Sequence, residues 1–380
     1  MDFSLPPEYD ELKRSVKKFL ENKLDPISRE MDEKQQFPFD VFKEAAALGF
    51  VGPHLPQQYG GSGDLWAKAI IYEQITYHNL GFNISVNASD LLFANNIAKY
   101  GTPEQKEKYL PPIIRGEKIG CFALTEPEAG SDALSLKTTW KKDGDYYILN
   151  GSKTFISNAP IADFFLLYTR AAGTTKLEGG CAFILERGME GLETGKPFDK
   201  LGCRCSPTGE IFLQDARVHK SHLLGKESEG FKLLLDSLDV ERALTPFSSI
   251  GVTQACLDAA TKYSKERQQF GRPIAQFQMV AEKLAEMATE LELSRTYAYK
   301  LIWLVQQKKR VTKEAAMLKL FASKMVNKAA YEALQVFGGY GYMKEYPIER
   351  YFRDARLLEI GAGTSEIQKL VISRELLKDH

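Results

Sequence analysis

The chain is poor in the residues that build special scaffolds. It holds five cysteines, five histidines and three tryptophans in 380 residues. Cys121, Cys181, Cys203, Cys205 and Cys256 are odd in number and scattered, which argues against a disulfide framework. Cys203-Arg204-Cys205 is too tight for the common zinc knuckle and lacks a second pair, and His219 and His222 have no further ligand beside them, so no metal is expected. An excess charge of either sign is also missing: 50 Lys and Arg stand against 50 Asp and Glu. Composition therefore gives no sign of nucleic-acid or membrane affinity. No apolar run approaches a membrane span, and the first ten residues carry neither a secretory nor a transit pattern, so a cytoplasmic, bacterial protein is expected. No internal repeat or low-complexity segment is present.

What remains is an ordinary globular composition, 44% apolar and 26% charged, long enough for two or three domains. Texture divides the chain into an N-terminal helical zone (1–117), a middle β zone (118–226) and a C-terminal helical zone (227–380), an α+β organisation. In the middle, Thr138 to Lys142 and Tyr146 to Leu149 flank Asp143-Gly144, a hairpin signal, and Asn150-Gly151 predicts a further turn before Lys153 to Ile156. Phe164 to Thr169, Cys181 to Leu185 and Glu210 to Leu213 read as strands. In the last zone Gln278 to about Lys309 lacks Gly and Pro, and Thr312 to Phe337 reads as a helix ended by Gly338-Gly339.

Five clusters carry chemistry. Cys121-Phe-Ala-Leu-Thr-Glu-Pro-Glu-Ala-Gly-Ser-Asp132 contains a Gly-Ser turn able to offer N–H groups and a hydroxyl to a phosphate, although alone it reads as an ordinary loop. Asn150-Gly-Ser-Lys-Thr-Phe-Ile-Ser-Asn158 sets an aromatic and a serine on a strand. Glu266-Arg-Gln-Gln-Phe-Gly-Arg-Pro273 with Gln278 looks like a solvated helix end. Gln335-Val-Phe-Gly-Gly-Tyr-Gly341 has glycines that permit close backbone approach or merely stop a helix. Ile360-Gly-Ala-Gly-Thr-Ser-Glu-Ile-Gln368 is the last.

In this order the clusters resemble the signatures of the acyl-CoA dehydrogenases over roughly residues 115–375. The resemblance implies an N-terminal helical domain, a middle β-barrel or sandwich domain and a C-terminal four-helix bundle. It implies FAD as cofactor, an acyl-CoA substrate, an electron-transferring flavoprotein as partner, and a homotetramer with FAD near subunit interfaces. It assigns Phe122, Leu124, Thr125, Gly130, Ser131, Phe155, Ser157, Arg267, Phe270, Gln278, Gln335, Gly338, Gly339, Thr364 and Glu366 to FAD. Ser131, Leu238, Arg242 and Ala362 are assigned to the substrate. Arg267, Phe270, Gln278, Gln335, Gly338 and Gly339 would reach FAD of a neighbouring subunit.

Many members carry a glutamate before the Gly-Thr pair, which removes the substrate α-proton; here that position is Ala362. Glu241 is the leading replacement. It lies three and seven residues after Leu238 and Leu234, on their apolar face, where desolvation strengthens a carboxylate as a base; the plainer alternative is a surface Glu paired with Arg242 or Lys265. Glu241-Arg242 is similar to the pair that supplies the base in isovaleryl-CoA dehydrogenase, although Pro246 is expected to bend that helix. Asp90 is a second candidate, on a helix apolar on nearly all sides; it reads either as a carboxylate satisfied by Asn87 or a helix cap, or as a group touching the acyl chain, able to support a 1,4-elimination on a cyclic enoyl thioester.

The function expected is desaturation of a short branched or alicyclic acyl-CoA, such as cyclohexane- or cyclohex-1-ene-1-carboxyl-CoA, in anaerobic degradation. Glu241 would serve α,β-elimination and Asp90 1,4-elimination. The alternatives are a flavin oxidase of the acyl-CoA oxidase or nitroalkane oxidase kind, and a non-catalytic acyl-CoA-binding homologue.

Overall fold

The computed structural model describes residues 6–175 and 177–378, without the side chains of Leu238 and Asp239. The N-terminal region is helical: α1 (Pro7–Lys23), α2 (Asp25–Lys34), α3 (Phe39–Ala47), α4 (Leu65–His78), α5 (Leu80–Asn87), α6 (Asn95–Tyr100) and α7 (Pro103–Ile114). Local chemistry fixes the starts. Asp64 accepts from the Ala67 N–H at the head of α4, and α7 opens on a reciprocal capping box between Thr102 and Gln105 with Pro103 in its first turn. Between α5 and α6, residues 88–94 form a wider π turn, in which the Asn95 N–H bonds the Asp90 carbonyl five residues back.

The middle region is one sheet of eight strands: β1 (Gly120–Ala123), β2 (Thr139–Asp143), β3 (Tyr146–Ser157), β4 (Phe164–Ala171), β5 (Gly180–Glu186), β6 (Leu192–Thr194), β7 (Thr208–His219) and β8 (Leu223–Leu224). The order is β6-β7-β3-β2-β4-β5-β8, with β1 parallel to β4. The expected hairpin is present, with Thr139 opposite Asn150 and Gly144 in the left-handed conformation. The turn expected at Asn150-Gly151 is absent. β3 runs through it, and the register against β7 shifts between Leu149 and Gly151. The bulge lies on the partner strand, where Gln214 and Asp215 of β7 oppose Asn150, so β3 continues instead of reversing. Gly151 is required there: it sits at φ +144° and a Cβ would meet the Thr138 Cα at 2.7 Å.

The C-terminal region holds α8 (Gly230–Leu244), α9 (Pro246–Glu266), the short pair β9 (Gln268–Gln269) and β10 (Arg272–Pro273), then α10 (Gln278–Gln306), α11 (Thr312–Phe337), α12 (Ile348–Ala355) and α13 (Ser365–Leu376). Helices α8 to α11 all pack on one another, the bundle that the resemblance implied, and α4 packs against α9. Pro246 does not distort the helix that carries Glu241. It opens α9, where its missing N–H costs nothing, and α8 ends at Leu244. One apolar core crosses all three regions: Phe93 and Tyr109 from the helices, Leu166, Tyr168 and Ile184 from the sheet, Phe231 and Leu234 from α8.

Candidate active site

Glu241 sits in the last turn of α8 and is half-buried. Among the described residues its carboxylate has no hydrogen-bond or ion-pair partner. Burial pushes its pKa up to about 7, against the pull of Arg242 and then Lys319. Two buried tyrosines feel its charge. Tyr168 on β4 is fully covered, its hydroxyl makes no hydrogen bond among the described residues, and its pKa is raised by burial and by Glu241. Tyr72 on α4 is raised by burial, with Glu241 and Asp90 adding to the rise.

Residues 360–364 form a tight loop facing this region from the bundle. Ala362 lies at φ +53°, a left-handed conformation that an alanine adopts with strain. The loop is held by Lys319 Nζ and Gln368 Nε2, which donate to the Gly363 carbonyl at 2.7 and 2.9 Å. Among the described residues the Ala362 N–H has no acceptor. Thr364 caps α13 by accepting from the Ile367 N–H, and Glu366 is exposed on the first turn. Lys319 is buried, which lowers its pKa to about 8, with Glu241 and Glu359 opposing that fall.

The first part of the expected cofactor set lines the sheet. Phe122 on β1 is half-buried with its ring 5.2 Å from that of Tyr168, so Tyr168 stands in reach of both Phe122 and Glu241. Leu124, Thr125 and Ser157 are half-buried. Phe155 is 69% exposed at φ +56°, and Gly130 and Ser131 lie on an open loop. That loop is anchored by a buried ion pair. Glu126 accepts from Lys153 Nζ at 2.8 Å and from the Thr138 N–H at 3.0 Å, and Lys153 also donates to the Leu124 carbonyl. Burial lowers Lys153 to about 8, while its hydrogen bonds and positive neighbour keep Glu126 below the usual carboxylate range despite burial.

The second part lies on the bundle. A cavity of about 630 Å³ is lined in part by Tyr263, Arg267, Phe337, Gly338, Gly339 and Tyr340. The Arg267 guanidinium lies 5.5 Å from the Tyr340 ring centre. Phe270 is 92% exposed at φ +53°, and Gln278 and Gln335 are exposed. A Cβ added at Gly338 or Gly339 would meet nothing within 4 Å, so both backbones face open space. Among the described residues no hydrogen bond, ion pair or ring contact joins this set to the one on the sheet. Both fit a flavin dinucleotide: bare rings at Phe155 and Phe270 for its planar parts, open glycine backbone at Gly130, Gly338 and Gly339 for close approach.

Asp90 is in a different state from Glu241. It is fully buried on the π turn, and Lys68 Nζ on α4 donates to its two oxygens at 2.9 and 2.7 Å. The Gly52 N–H donates to it at 2.9 Å. The expected partner, Asn87, instead accepts from the same Lys68 at 3.0 Å. A carboxylate so engaged is a fixed ion-pair member, and the geometry gives no support to Asp90 as a free base for 1,4-elimination. Arg242 is half-buried beside Glu241; Leu238, expected at the acyl pocket, falls outside the described side chains.

Sequence reasoning missed Lys68, Tyr72, Tyr168, Lys319 and the Glu126–Lys153 pair. Lys68 left one trace: it is the only cation in Leu65-Trp-Ala-Lys-Ala-Ile-Ile-Tyr, where an unpaired ammonium would be untenable.

Comparison with known proteins follows the same three regions. Family models for the acyl-CoA dehydrogenase N-terminal, middle and C-terminal domains match residues 6–117, 121–216 and 228–377. The chain is 41% identical to the 3-(aryl)acrylate reductase of Clostridium sporogenes, over 98% of this chain and 99% of that one. It is 42% identical to the caffeyl-CoA reductase-Etf complex subunit CarC of Acetobacterium woodii, over 93% of each. The solved butyryl-CoA dehydrogenase from Megasphaera elsdenii superposes with a TM-score of 0.96 at 38% identity, covering 100% of both chains.

Proposed function

Since the chain belongs to the acyl-CoA dehydrogenase family, whose members are FAD-dependent oxidoreductases of CH–CH groups, we propose that it desaturates a short branched or alicyclic acyl-CoA with Glu241 as base. The observation that carries this reading is the Glu241 carboxyl: half-buried, without a partner among the described residues and raised to about 7. The α-carbon of a thioester is a weak acid and needs a desolvated base together with a hydrogen bond to its carbonyl as negative charge develops there. The Ala362 N–H is free to give that bond. Ser131, Leu238 and Arg242 complete the acyl-CoA contacts. FAD, when bound, supplies the hydride acceptor for the β-carbon. The residues proposed to hold it are Phe122, Leu124, Thr125, Gly130, Ser131, Phe155, Ser157, Thr364 and Glu366, with Arg267, Phe270, Gln278, Gln335, Gly338 and Gly339 serving a neighbouring copy in a homotetramer. The domains are divided at 117/118 and 226/227, and electrons pass to an electron-transferring flavoprotein.

A pKa near 7 leaves both forms of Glu241 populated at neutrality. Protonated, it would donate to the α-carbon of an enoyl thioester, so reduction is the second reading. The names of the two related reductases favour it. The test is anaerobic bleaching of the bound flavin by isovaleryl, butyryl, octanoyl and cyclohexanecarboxyl thioesters, and re-oxidation of the reduced protein by their enoyl partners. Bleaching by a short or cyclic thioester that is lost in Glu241→Gln supports the reading. Undiminished bleaching in that variant removes Glu241 as base, and steady peroxide release identifies an oxidase instead.

A further inference from the structure

Beside Glu241 lies a set of polar side chains that the reaction above does not use. Asn83 on α5 is fully buried, yet neither its oxygen nor its nitrogen has a hydrogen-bond partner among the described residues. Ser248 Oγ on α9 is likewise buried with no well-formed hydrogen bond among the described residues, and both side chains stand close enough to the Tyr72 hydroxyl to act as weak partners that oppose the rise of its pKa. Next along are Asn87, whose Nδ2 has no partner among the described residues, and His54, whose covered ring nitrogens make no well-formed hydrogen bond among those residues although the ring approaches the Asp90 carbonyl. His54 lies against Asp90 and Lys68. Tyr72 links the set to the base, because it is close enough to feel both Glu241 and Asp90. Buried polar atoms in native proteins are nearly always partnered, so several orphans meeting in one place mark a spot where something else supplies the partners.

We infer that the acyl site ends in a polar recess, formed by His54, Tyr72, Asn83, Asn87 and Ser248, that takes an acyl group bearing a neutral hydrogen-bonding substituent, a hydroxyl or carbonyl, beyond the β-carbon. The charge balance selects neutral over anionic. Lys68 is the cation of the recess and is fully matched by Asp90 at 2.7 Å. Burial holds His54 down to about 4, so it is uncharged at neutrality, with one donor and one acceptor nitrogen. A carboxylate entering here would meet a Lys68 already matched by Asp90 and would lie near the Glu241 charge. An all-hydrocarbon end would leave the orphan groups dry and unpaired, and sites built to bond a hydroxyl reject analogues lacking it strongly.

This inference rests on the dehydrogenase reading, and one panel separates the two. The flavin-loaded protein is given matched thioesters: pentanoyl against 5-hydroxypentanoyl, cyclohexanecarboxyl against 4-hydroxycyclohexanecarboxyl, and glutaryl. The expected result is a preference of at least about tenfold in kcat/KM for the hydroxylated member of one pair or both, with glutaryl no better than pentanoyl. Asn83→Leu and Ser248→Ala should each cut that preference to below about threefold. Flavin bleaching with no such preference in the wild-type protein overturns the recess, which then holds water only, and leaves the dehydrogenase reading intact. A preference that survives both variants overturns it as well. Bleaching by none of the thioesters overturns both readings together.

Discussion

Two covered carboxylates, one at the end of α8 and one on the π turn, have opposite fates. Glu241 is half-buried with no partner among the described residues, and the cations that influence it are Arg242 and Lys319. Asp90 is fully buried, with Lys68 in contact and the Gly52 N–H on the same oxygen as one Lys68 bond. Burial raises the Glu241 pKa, whereas the Asp90 oxygens are taken up by a cation and a backbone N–H. The difference teaches that the partner, more than depth, separates an available carboxylate from an engaged one.

The sharpest break of the comparison is Glu241→Gln. It should lower kcat by about a thousandfold, the scale of a general base, while flavin content and unfolding midpoint change little. Asp90→Asn should do the reverse. It leaves Lys68 uncompensated in the interior and should cost about 3–5 kcal/mol in chemical denaturation. A paired Lys68→Met, Asp90→Leu variant should recover much of that stability, which no catalytic role for Asp90 would predict.

A third test uses pH. Dehydrogenation needs the ionised base, so its rate should rise through a pKa of about 7, and enoyl reduction should fall through the same value. Stability carries the matching sign. Folding raises the Glu241 pKa from 4.5 to about 7, which favours the protonated form. The contribution is therefore most favourable below pH 4.5 and is lost as pH rises to about 7. Glu241→Gln should match the parent below pH 4.5 and exceed it above 7. The smallest effect is expected of Lys319→Met. Removing that cation should move the acid limb upward by about one pH unit, and an unmoved limb would show that Lys319 serves only to hold the Gly363 carbonyl.

Much of the fold was legible because its signals are local. Helix α11 begins at Thr312 and ends at Phe337 where composition places it, because a run of helix formers stops at a glycine pair. The Asn150-Gly151 signal misled, because the same dipeptide serves in a hairpin or opposite a bulge and only pairing with β7 decides. The site was legible to the same depth. Glu241 lay on a readable apolar face, whereas Asp90 could not be judged without Lys68, 22 residues away on another helix. An α-helical wheel also misplaces Asp90, because the turn that carries it is not α.

That turn has a consequence of its own. A π turn holds one residue more than the α turn it replaces, so residues 88–94 carry one residue beyond what a regular helix would need there. Deleting one residue there would let the wide turn close into an α turn with both flanks keeping their places, re-aiming only the side chains inside the turn. The Asp90 carboxylate would then turn away from Lys68 and the recess would lose its wall. In a lineage of such enzymes, a one-residue gap at this point would mark a change of diet.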